Sequence, residues 1–234
     1  MSVKIKFLGH ATFLITTPGG RKLLIDPWVM NNPACPDEDK ELGSLDTLLI
    51  THGHADHFQD AIEIAKKYKP AIGCIYEIGH YLGEKGIENC QPMSKGGGQK
   101  INDVHVVMTD ARHSSSLIEE GGKIWDGGEP AGFVVTFEDG QSIYHAGDTG
   151  IFYGMQLIAE LYQPDLVMLP VGDLFTMGPK EAAHACKLLK AKRVIPMHYG
   201  TFPPLTGTPE EFAKLVSDQD VEVITMEAGN SYNM

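Results

Sequence analysis

The feature that most constrains this chain is the heptapeptide THGHADH at residues 51–57, which follows the apolar segment LDTLLI at 45–50. A short apolar run that stops at a polar cluster is typical of a buried strand ending at a sheet edge. Burying three imidazoles and a carboxylate without partners would be costly, so the cluster is not expected to lie in a core. Imidazole and carboxylate together suit zinc, manganese or iron. The heptapeptide therefore predicts a metal site at a strand end.

The spacing within the heptapeptide indicates more than one metal ion. In an extended turn, His52, His54 and Asp56 share one side, whereas His57 faces the other way. Such an arrangement can supply ligands to two adjacent ions. The alternatives are a solvent-exposed polar loop and a histidine tag, but a tag is terminal and uninterrupted, and this segment is neither.

The rest of the chain repeats one order of elements in two halves, in each of which a hairpin precedes strands that alternate with helices. Turn signals at 17–20 and 139–140 predict the two hairpins. We expect two sheets packed face to face with helices outside, in one domain spanning 1–234. Strands are predicted at 3–8, 11–17, 21–26, 45–51, 71–76, 104–109, 132–138, 141–146, 165–170, 193–197 and 221–226, and helices at 60–68, 153–162, 179–191 and 208–217.

Composition excludes several classes of function. The net charge of -12, from 31 acidic and 19 basic residues, argues against a general nucleic-acid binder, since a phosphate backbone calls for a basic face. No apolar stretch approaches the length of a membrane helix, and the amino terminus has no signal-peptide core, so we expect a cytoplasmic protein without membrane contact. The four cysteines are scattered and form no C-x-x-C pair, which favours reduced, packed thiols. Homo-oligomerisation stays open.

The pattern H-x-H-x-D-H behind an apolar strand resembles the signature of the metallo-β-lactamase superfamily. The rest of that superfamily's pattern is present in order. A lone histidine, His113, follows a strand, Asp148 ends another strand, and His198 follows a late strand. The resemblance runs from about residue 5 to residue 200.

Three shorter motifs are similar to a narrower group, the UlaG-like branch of metal-dependent hydrolases (UPF0173 type). These are FLGHA at 7–11, LIDP at 24–27 and FTMG at 175–178. The branch includes L-ascorbate-6-phosphate lactonase and many uncharacterised hydrolases of about this length.

The resemblance implies an α/β fold, an αββα four-layer sandwich of two mixed β-sheets flanked by helices, with the site at one edge between the sheets. It also implies a dinuclear centre of two divalent metal ions. Zinc is the expected metal, and manganese, nickel and iron are also compatible with these ligands. A hydroxide bridging the ions would attack the substrate, and Asp56 would orient it and relay its proton. Carried over by position, His52, His54 and His113 hold the first ion, Asp56, His57 and His198 hold the second, and Asp148 bridges them.

Several further residues are candidates for supporting roles. The likeness places His10 at the pocket rim, although it can equally be an ordinary hydrogen-bonded histidine. Asp26 either orients a liganding imidazole or forms an Asp-Pro turn, and His145 is a candidate for contact with the ligands. The segments 114–132 and 29–43 are candidate pocket walls, the first as a lid or as a surface loop. Three other histidines are expected to be structural or on the surface: His80, His105 and His184.

These observations favour a hydrolase that cleaves a small ester, lactone or phosphoester, with a small-molecule substrate as its partner. A nuclease or phosphodiesterase of the RNase Z or RNase J kind is the alternative within this fold, and the acidic balance counts against it. Di-iron oxygen or nitric oxide reductases are a third possibility. They usually carry glutamate where His54 stands, together with an appended flavin domain, so the histidine counts against this function. A metal-binding or scaffolding protein with an inactive site is a further alternative, against which the complete ligand set argues.

Overall fold

The computed structural model describes residues 2–234, which form sixteen strands and six α-helices. The strands are β1 (Lys4–Phe7), β2 (Phe13–Thr16), β3 (Lys22–Ile25), β4 (Thr47–Leu49), β5 (Ala71–Ile75), β6 (Cys90–Met93), β7 (Gly98–Ile101), β8 (Val104–Asp110), β9 (Ser116–Ile118), β10 (Ile124–Asp126), β11 (Ala131–Thr136), β12 (Ser142–His145), β13 (Leu166–Pro170), β14 (Arg193–Met197), β15 (Glu222–Val223) and β16 (Ser231–Asn233). The helices are α1 (Ala55–Phe58), α2 (Ala61–Tyr68), α3 (Tyr76–Glu84), α4 (Gly154–Tyr162), α5 (Pro179–Leu189) and α6 (Pro209–Leu215), with a 3-10 turn at Asp37–Asp39.

Two seven-stranded sheets have the same plan. The first runs β16-β1-β2-β3-β4-β5-β6, antiparallel from β16 to β3 and parallel from β3 to β6. The second runs β15-β14-β13-β12-β11-β8-β7, antiparallel from β7 to β12 and parallel from β12 to β15. Both sheets are therefore mixed, and each contains the hairpin that its turn signal predicted, β2–β3 in the first sheet and β11–β12 in the second.

The main core lies between the sheets, and helices cover both outer faces. Ile5 and Phe13 of the first sheet share one buried cluster with Phe133 and Met168 of the second. A second cluster joins the outer face of the second sheet to α4 and α5 through residues such as Leu169 and Cys186. The predicted αββα sandwich is confirmed. Strands such as β13 are buried along their whole length, as expected for parallel strands covered on both faces.

Some predicted elements differ from the structure. Residues 51–57 do not stay extended, because α1 begins at Ala55. The predicted strand at 221–226 is reduced to the two residues of β15. Segment 114–132 contains the β9–β10 hairpin. The elements α3, β6, β7 and β16 were not predicted, since α3 contains two glycines and β6 contains a proline. Among the described residues, no helix is both long and apolar enough to cross a bilayer.

The topology brings the predicted site residues to one edge of the sandwich. Strands β8, β12 and β14 run in the same direction within the second sheet. Their carboxyl ends therefore meet at one edge, and they are followed by His113, Asp148 and His198 respectively. The heptapeptide follows β4 of the facing sheet, so both sheets contribute to the same edge.

Candidate metal centre

Close backbone packing holds the loops that carry Asp148 and His198. Gly147 has φ +62°, and a Cβ there would lie 2.5 Å from the carbonyl oxygen of Ala131. Gly172 passes so near His198 that a Cβ would lie 1.9 Å from its carbonyl oxygen. His198 itself adopts a left-handed conformation, with φ 57°. The two glycines are needed for these close approaches, which place both side chains at the shared edge.

Three imidazoles converge on the more open side of the centre, and we call them the first group: His52, His54 and His113. The Nδ1 atom of His54 lies 3.1 Å from His52 Nε2 and 3.2 Å from His113 Nε2. His52 is buried, whereas His54 and His113 are partly exposed. Three ring nitrogens this close are suited to a cation with nitrogen ligands.

The second group, Asp56, His57 and His198, lies deeper, and Asp148 stands between the two groups. Its Oδ2 atom is 3.0 Å from His198 Nε2, and its Oδ1 atom is 3.2 Å from His57 Nε2. The same carboxylate lies 3.8 Å from His52 Nε2 and 3.6 Å from His113 Nε2. Asp148 is thus within 4 Å of ring nitrogens from both groups.

Buried polar atoms at this point have no hydrogen-bond partner within residues 2–234. They are His57 Nε2, Asp148 Oδ1 and both ring nitrogens of His198, because the short distances among these atoms do not have hydrogen-bond geometry. Buried polar atoms nearly always find partners, and leaving several unpaired together is costly. The orphaned atoms are imidazole nitrogens and a carboxylate oxygen, the donors that divalent transition metals prefer. The residues present therefore fit a metal site, and the cluster is able to bind metal.

Asp26 determines which ring nitrogens face this cluster. Its Oδ2 atom lies 2.7 Å from His57 Nδ1 and also accepts the Thr51 hydroxyl at 2.8 Å, while Oδ1 accepts the Thr51 amide. Because the Thr51 hydroxyl proton is used on Asp26, its oxygen can only accept from His52 Nδ1, 2.9 Å away. Both His52 and His57 therefore turn Nε2 towards the cluster. Asp26 also makes a turn, with φ 56° and a bond from the Trp28 amide, so it both orients the His57 ring and forms the predicted turn.

His10 lies behind Asp56. It was predicted at the pocket rim; it is 1% exposed and lines an open cavity of about 540 Å³ together with Thr201. Its Nε2 atom is 3.1 Å from Asp56 Oδ2, and its Nδ1 atom is 3.0 Å from the Thr201 hydroxyl. Burial lowers the pKa of His10 to about 4, against the opposing effect of Asp56, so the ring is neutral at pH 7. A neutral ring that donates from Nε2 to a carboxylate has no lone pair there for a metal, and His10 thus supports Asp56.

His145 holds the loop before Asp148 and does not contact the cluster directly. Its Nε2 atom bonds the Ala11 carbonyl at 3.0 Å, and its Nδ1 atom accepts the Gly147 amide at 3.1 Å. Burial lowers the pKa of His145, which keeps the ring neutral as this pairing requires. His80, His105 and His184 are exposed and lie outside the cluster.

The charges of the cluster are those that metal binding requires. Burial lowers the pKa of His52, His54 and His113, so the first group is neutral. Burial would raise the pKa of Asp148, but His198 and His57 hold it well below its usual value. Likewise, burial opposes the ionisation of Asp56, but the His10 hydrogen bond and the charge of His57 lower its pKa.

His57 is the exception. Burial would lower its pKa, yet the neighbouring carboxylates of Asp148 and Asp26 raise it well above 6.5. The metal-free cluster thus holds a proton on His57, which a metal ion at Nε2 would displace.

The sequence reasoning missed an aromatic wall beside His10. The rings of Trp28 and Phe202 stack 5.8 Å apart, and their centroids lie 5.3 and 5.6 Å from that of His10. The Trp28 indole nitrogen is buried without a partner in the described structure. No local motif marks these residues, because they meet only through the fold.

Two open cavities flank the first group. The larger, about 840 Å³, extends from His54 past Phe58 and Tyr81 to Leu117 on the β9–β10 hairpin. The second, about 760 Å³, surrounds His113 and Ser114. Segment 114–132 thus contributes a wall to both cavities, while segment 29–43 contributes Asn31 to the larger one.

Known proteins share this architecture. The family model described as "Beta-lactamase superfamily domain" matches residues 21–199. A UPF0173 metal-dependent hydrolase of Rubrobacter xylanophilus is 52% identical over 94% of this chain and 91% of its own length. Another from Koribacter versatilis is 51% identical over 94% of both chains. The solved structure of Igni18, a metallo hydrolase from Ignicoccus hospitalis, is 36% identical, with a TM-score of 0.89 over 100% of this chain and 99% of that one.

The fold and the site define a member of the β-lactamase superfamily. Within that superfamily, the chain belongs to the family of UPF0173 metal-dependent hydrolases.

Proposed function

We propose that this metal-dependent hydrolase uses two divalent metal ions to cleave a small ester, lactone or phosphoester. The observation that carries the proposal is the convergence of two ligand groups on one carboxylate. Asp148 lies within 4 Å of ring nitrogens from both groups, and its Oδ1 atom is buried and unpaired. A single ion would use only part of this set.

In the proposed reaction, the residues of the centre have distinct roles. The first group would hold one ion, the second group the other, and Asp148 would contact both. When bound, the ions supply Lewis acidity and lower the pKa of water so that hydroxide is available near neutral pH. Asp56 is ionised and its side chain is 27% exposed, so it can accept a proton from the nucleophile. His10 fixes the direction of that carboxylate, and Asp26 keeps His57 and His52 in the ring orientation the site needs.

The charges around the cavities favour a small substrate over nucleic acid. Three of the cations near the site are already paired with carboxylates: Lys85 with Glu119, Lys95 with Asp110 and Glu129, and Arg112 with Asp110. Phosphate-backbone binding needs several available Lys or Arg contacts, and the net charge of -12 opposes it elsewhere. An 840 Å³ cavity beside His54 is of a size that accepts a small molecule.

Metal analysis combined with a substrate panel tests the proposal. The protein, reconstituted separately with zinc, manganese, nickel or iron, should bind two ions per chain and hydrolyse at least one of a set of model esters, lactones and phosphodiesters. The variant His184→Gln removes an exposed histidine outside the cluster and serves as the matched control. One ion or fewer under metal-replete conditions would favour a mononuclear hydrolase instead.

A titration with labelled RNA and DNA at low salt distinguishes the alternative. We expect neither micromolar binding nor metal-dependent cleavage. Salt-sensitive binding together with cleavage would make this protein a nuclease.

A further inference from the structure

Helix α4 has two apolar faces, and only one of them is covered. Met155, Ile158 and Ala159 are buried against the second sheet. On the other side, Tyr153 directly before the helix and Leu157 and Leu161 within it are 86%, 58% and 69% exposed. A helix that is apolar on both sides is normally buried on both sides.

The exposed residues form a continuous stripe. They are spaced four residues apart, and side chains at i, i+4 and i+8 lie above one another along a helix. The stripe differs from the scattered exposed leucines that any surface carries, of which Leu215 on α6, 41% exposed, is an example. Among the described residues, nothing packs over the stripe.

A neighbouring loop adds further apolar surface. Leu174 and Phe175 are 63% and 58% exposed. The Met177 amide bonds the Thr149 carbonyl at 3.0 Å, so this loop lies against the segment that leads into α4. Together with the stripe, these side chains expose an apolar area on the order of 500 Å², which is as large as monomers usually leave uncovered.

We propose that two copies of this chain associate through α4, with each helix packed antiparallel on its counterpart across a twofold axis near Leu157. A twofold contact uses the same patch on both subunits, and a straight stripe centred on one residue is complementary to itself in that arrangement. The stripe and loop would form the apolar centre of an interface of about 800 Å² per subunit, the standard size for a stable dimer.

Charge selects a second copy as the occupant of this face. The chain carries a net charge of -12, so two copies repel one another across most of their surfaces. Within Gly154–Tyr162, Glu160 is the only charged residue, which makes α4 a face through which identical acidic chains can approach. A basic partner would instead be attracted to the acidic surfaces elsewhere.

Light scattering coupled to size-exclusion chromatography tests the association. At about 50 µM, wild type should elute at twice the chain mass of 25.6 kDa. Leu157→Glu places two like charges at the axis and should weaken the dimer about a hundredfold or more, so that it elutes as a monomer. Leu215→Glu makes the same change at the isolated leucine on α6 and should stay dimeric. Circular dichroism and thermal unfolding verify that both variants are folded.

Crosslinking tests the geometry without depending on a destabilising change. Leu157→Cys should form a covalent dimer under mild oxidation, whereas wild type and Leu215→Cys should not. A monomeric wild type, a dimer that survives Leu157→Glu, or a Leu157→Cys variant that crosslinks no better than Leu215→Cys would each overturn the proposal.

Discussion

The two ligand groups of the centre differ in what stands behind them. The first group is all imidazole, and its support comes from hydroxyls, chiefly Thr51 behind His52. The second group has a carboxylate of its own, and buried polar residues back it. Asp26 stands behind His57, and His10 stands behind Asp56 with Thr201 behind it in turn. Two of the three first-group rings are also partly exposed, whereas His57 and His198 are buried.

This difference predicts two unequal metal positions. A carboxylate behind an imidazole raises its basicity and fixes its orientation, which strengthens metal binding. The second group also offers one more negative charge than the first. We therefore expect the second group to fill first and to exchange its ion slowly. The first group, which opens on both cavities, should fill later and exchange more readily.

The largest effect is expected at the residue that the two groups share. Asp148→Asn removes the carboxylate that lies within 4 Å of ring nitrogens in both groups, so both positions should lose metal and hydrolysis should fall by about a thousandfold or more. Elemental analysis and turnover measure the two losses. Asp165→Asn, which changes a carboxylate that accepts the Ser142 amide at the opposite end of β12, is the matched control. If Asp148→Asn retained two ions and unchanged turnover, the proposal that Asp148 is shared by the two groups would be wrong.

Asp56→Asn should affect metal binding at the two groups differently. Asp56 contacts ring nitrogens of the second group, so the first group should still bind an ion while turnover falls by about a hundredfold. The fold should persist, because Asp56 lies at the surface end of a four-residue helix with its side chain 27% exposed. Asp218→Asn, at an exposed residue after α6, controls for a changed surface charge. Near-normal hydrolysis by Asp56→Asn would exclude this residue from the mechanism.

The contrast between ligands and their supports also accounts for what the sequence can reveal. The heptapeptide displays its chemistry locally, since three histidines and an aspartate directly behind a buried strand already indicate a metal site. The supports lie far away along the chain. Asp26 precedes His57 by 31 residues, and His10 precedes Thr201 by 191. No spacing rule joins such pairs. The motif likeness suggested His10, and a strand end before a proline suggested Asp26, but neither indicated the contacts that these residues make.

The same distinction holds for the fold. Fully buried strands such as β13 and β14 were predicted close to their observed bounds, because an apolar run is a local property. The β9–β10 hairpin was not predicted, since its strands have only three residues each and glycines occupy the turn between them and the segment after β10. Helix α1 was missed because a single helical turn leaves too few residues for a periodic pattern.

Asp26→Asn should have a smaller and unequal effect. The amide can still accept from Thr51, but it no longer carries the charge that holds His57, so affinity at the second group should fall about ten- to a hundredfold. Metal affinity at the first group should change less, because Asp26 acts on that group only through the Thr51 hydroxyl behind His52. Competition with a chelating dye measures both affinities. Asp46→Asn removes a charge from a carboxylate that accepts the Lys22 amide in a similar way but lies away from the centre. Equal losses at both positions would contradict the asymmetry.

The smallest predicted effect is the release of a proton when metal binds. The carboxylates of Asp148 and Asp26 raise the pKa of His57 well above 6.5, so this ring keeps its proton in the metal-free protein at neutral pH. The first-group imidazoles have lowered pKa values and are neutral there. Metal binding at pH 7 should therefore release the His57 proton, about one per chain, together with the first ion, which the second group takes. Formation of the proposed metal hydroxide would release a further proton once the second ion is bound. Calorimetric titration in buffers of different ionisation enthalpy counts the protons released.

The number of protons released with the first ion should decline as pH rises towards the elevated pKa of His57, because the ring then loses its proton before metal binds. It should also fall in Asp26→Asn, where the raised pKa loses one of its two causes. The absence of proton release with the first ion would mean that the imidazole group fills first and that Asp26 and His10, behind the second group, do not set the order of loading.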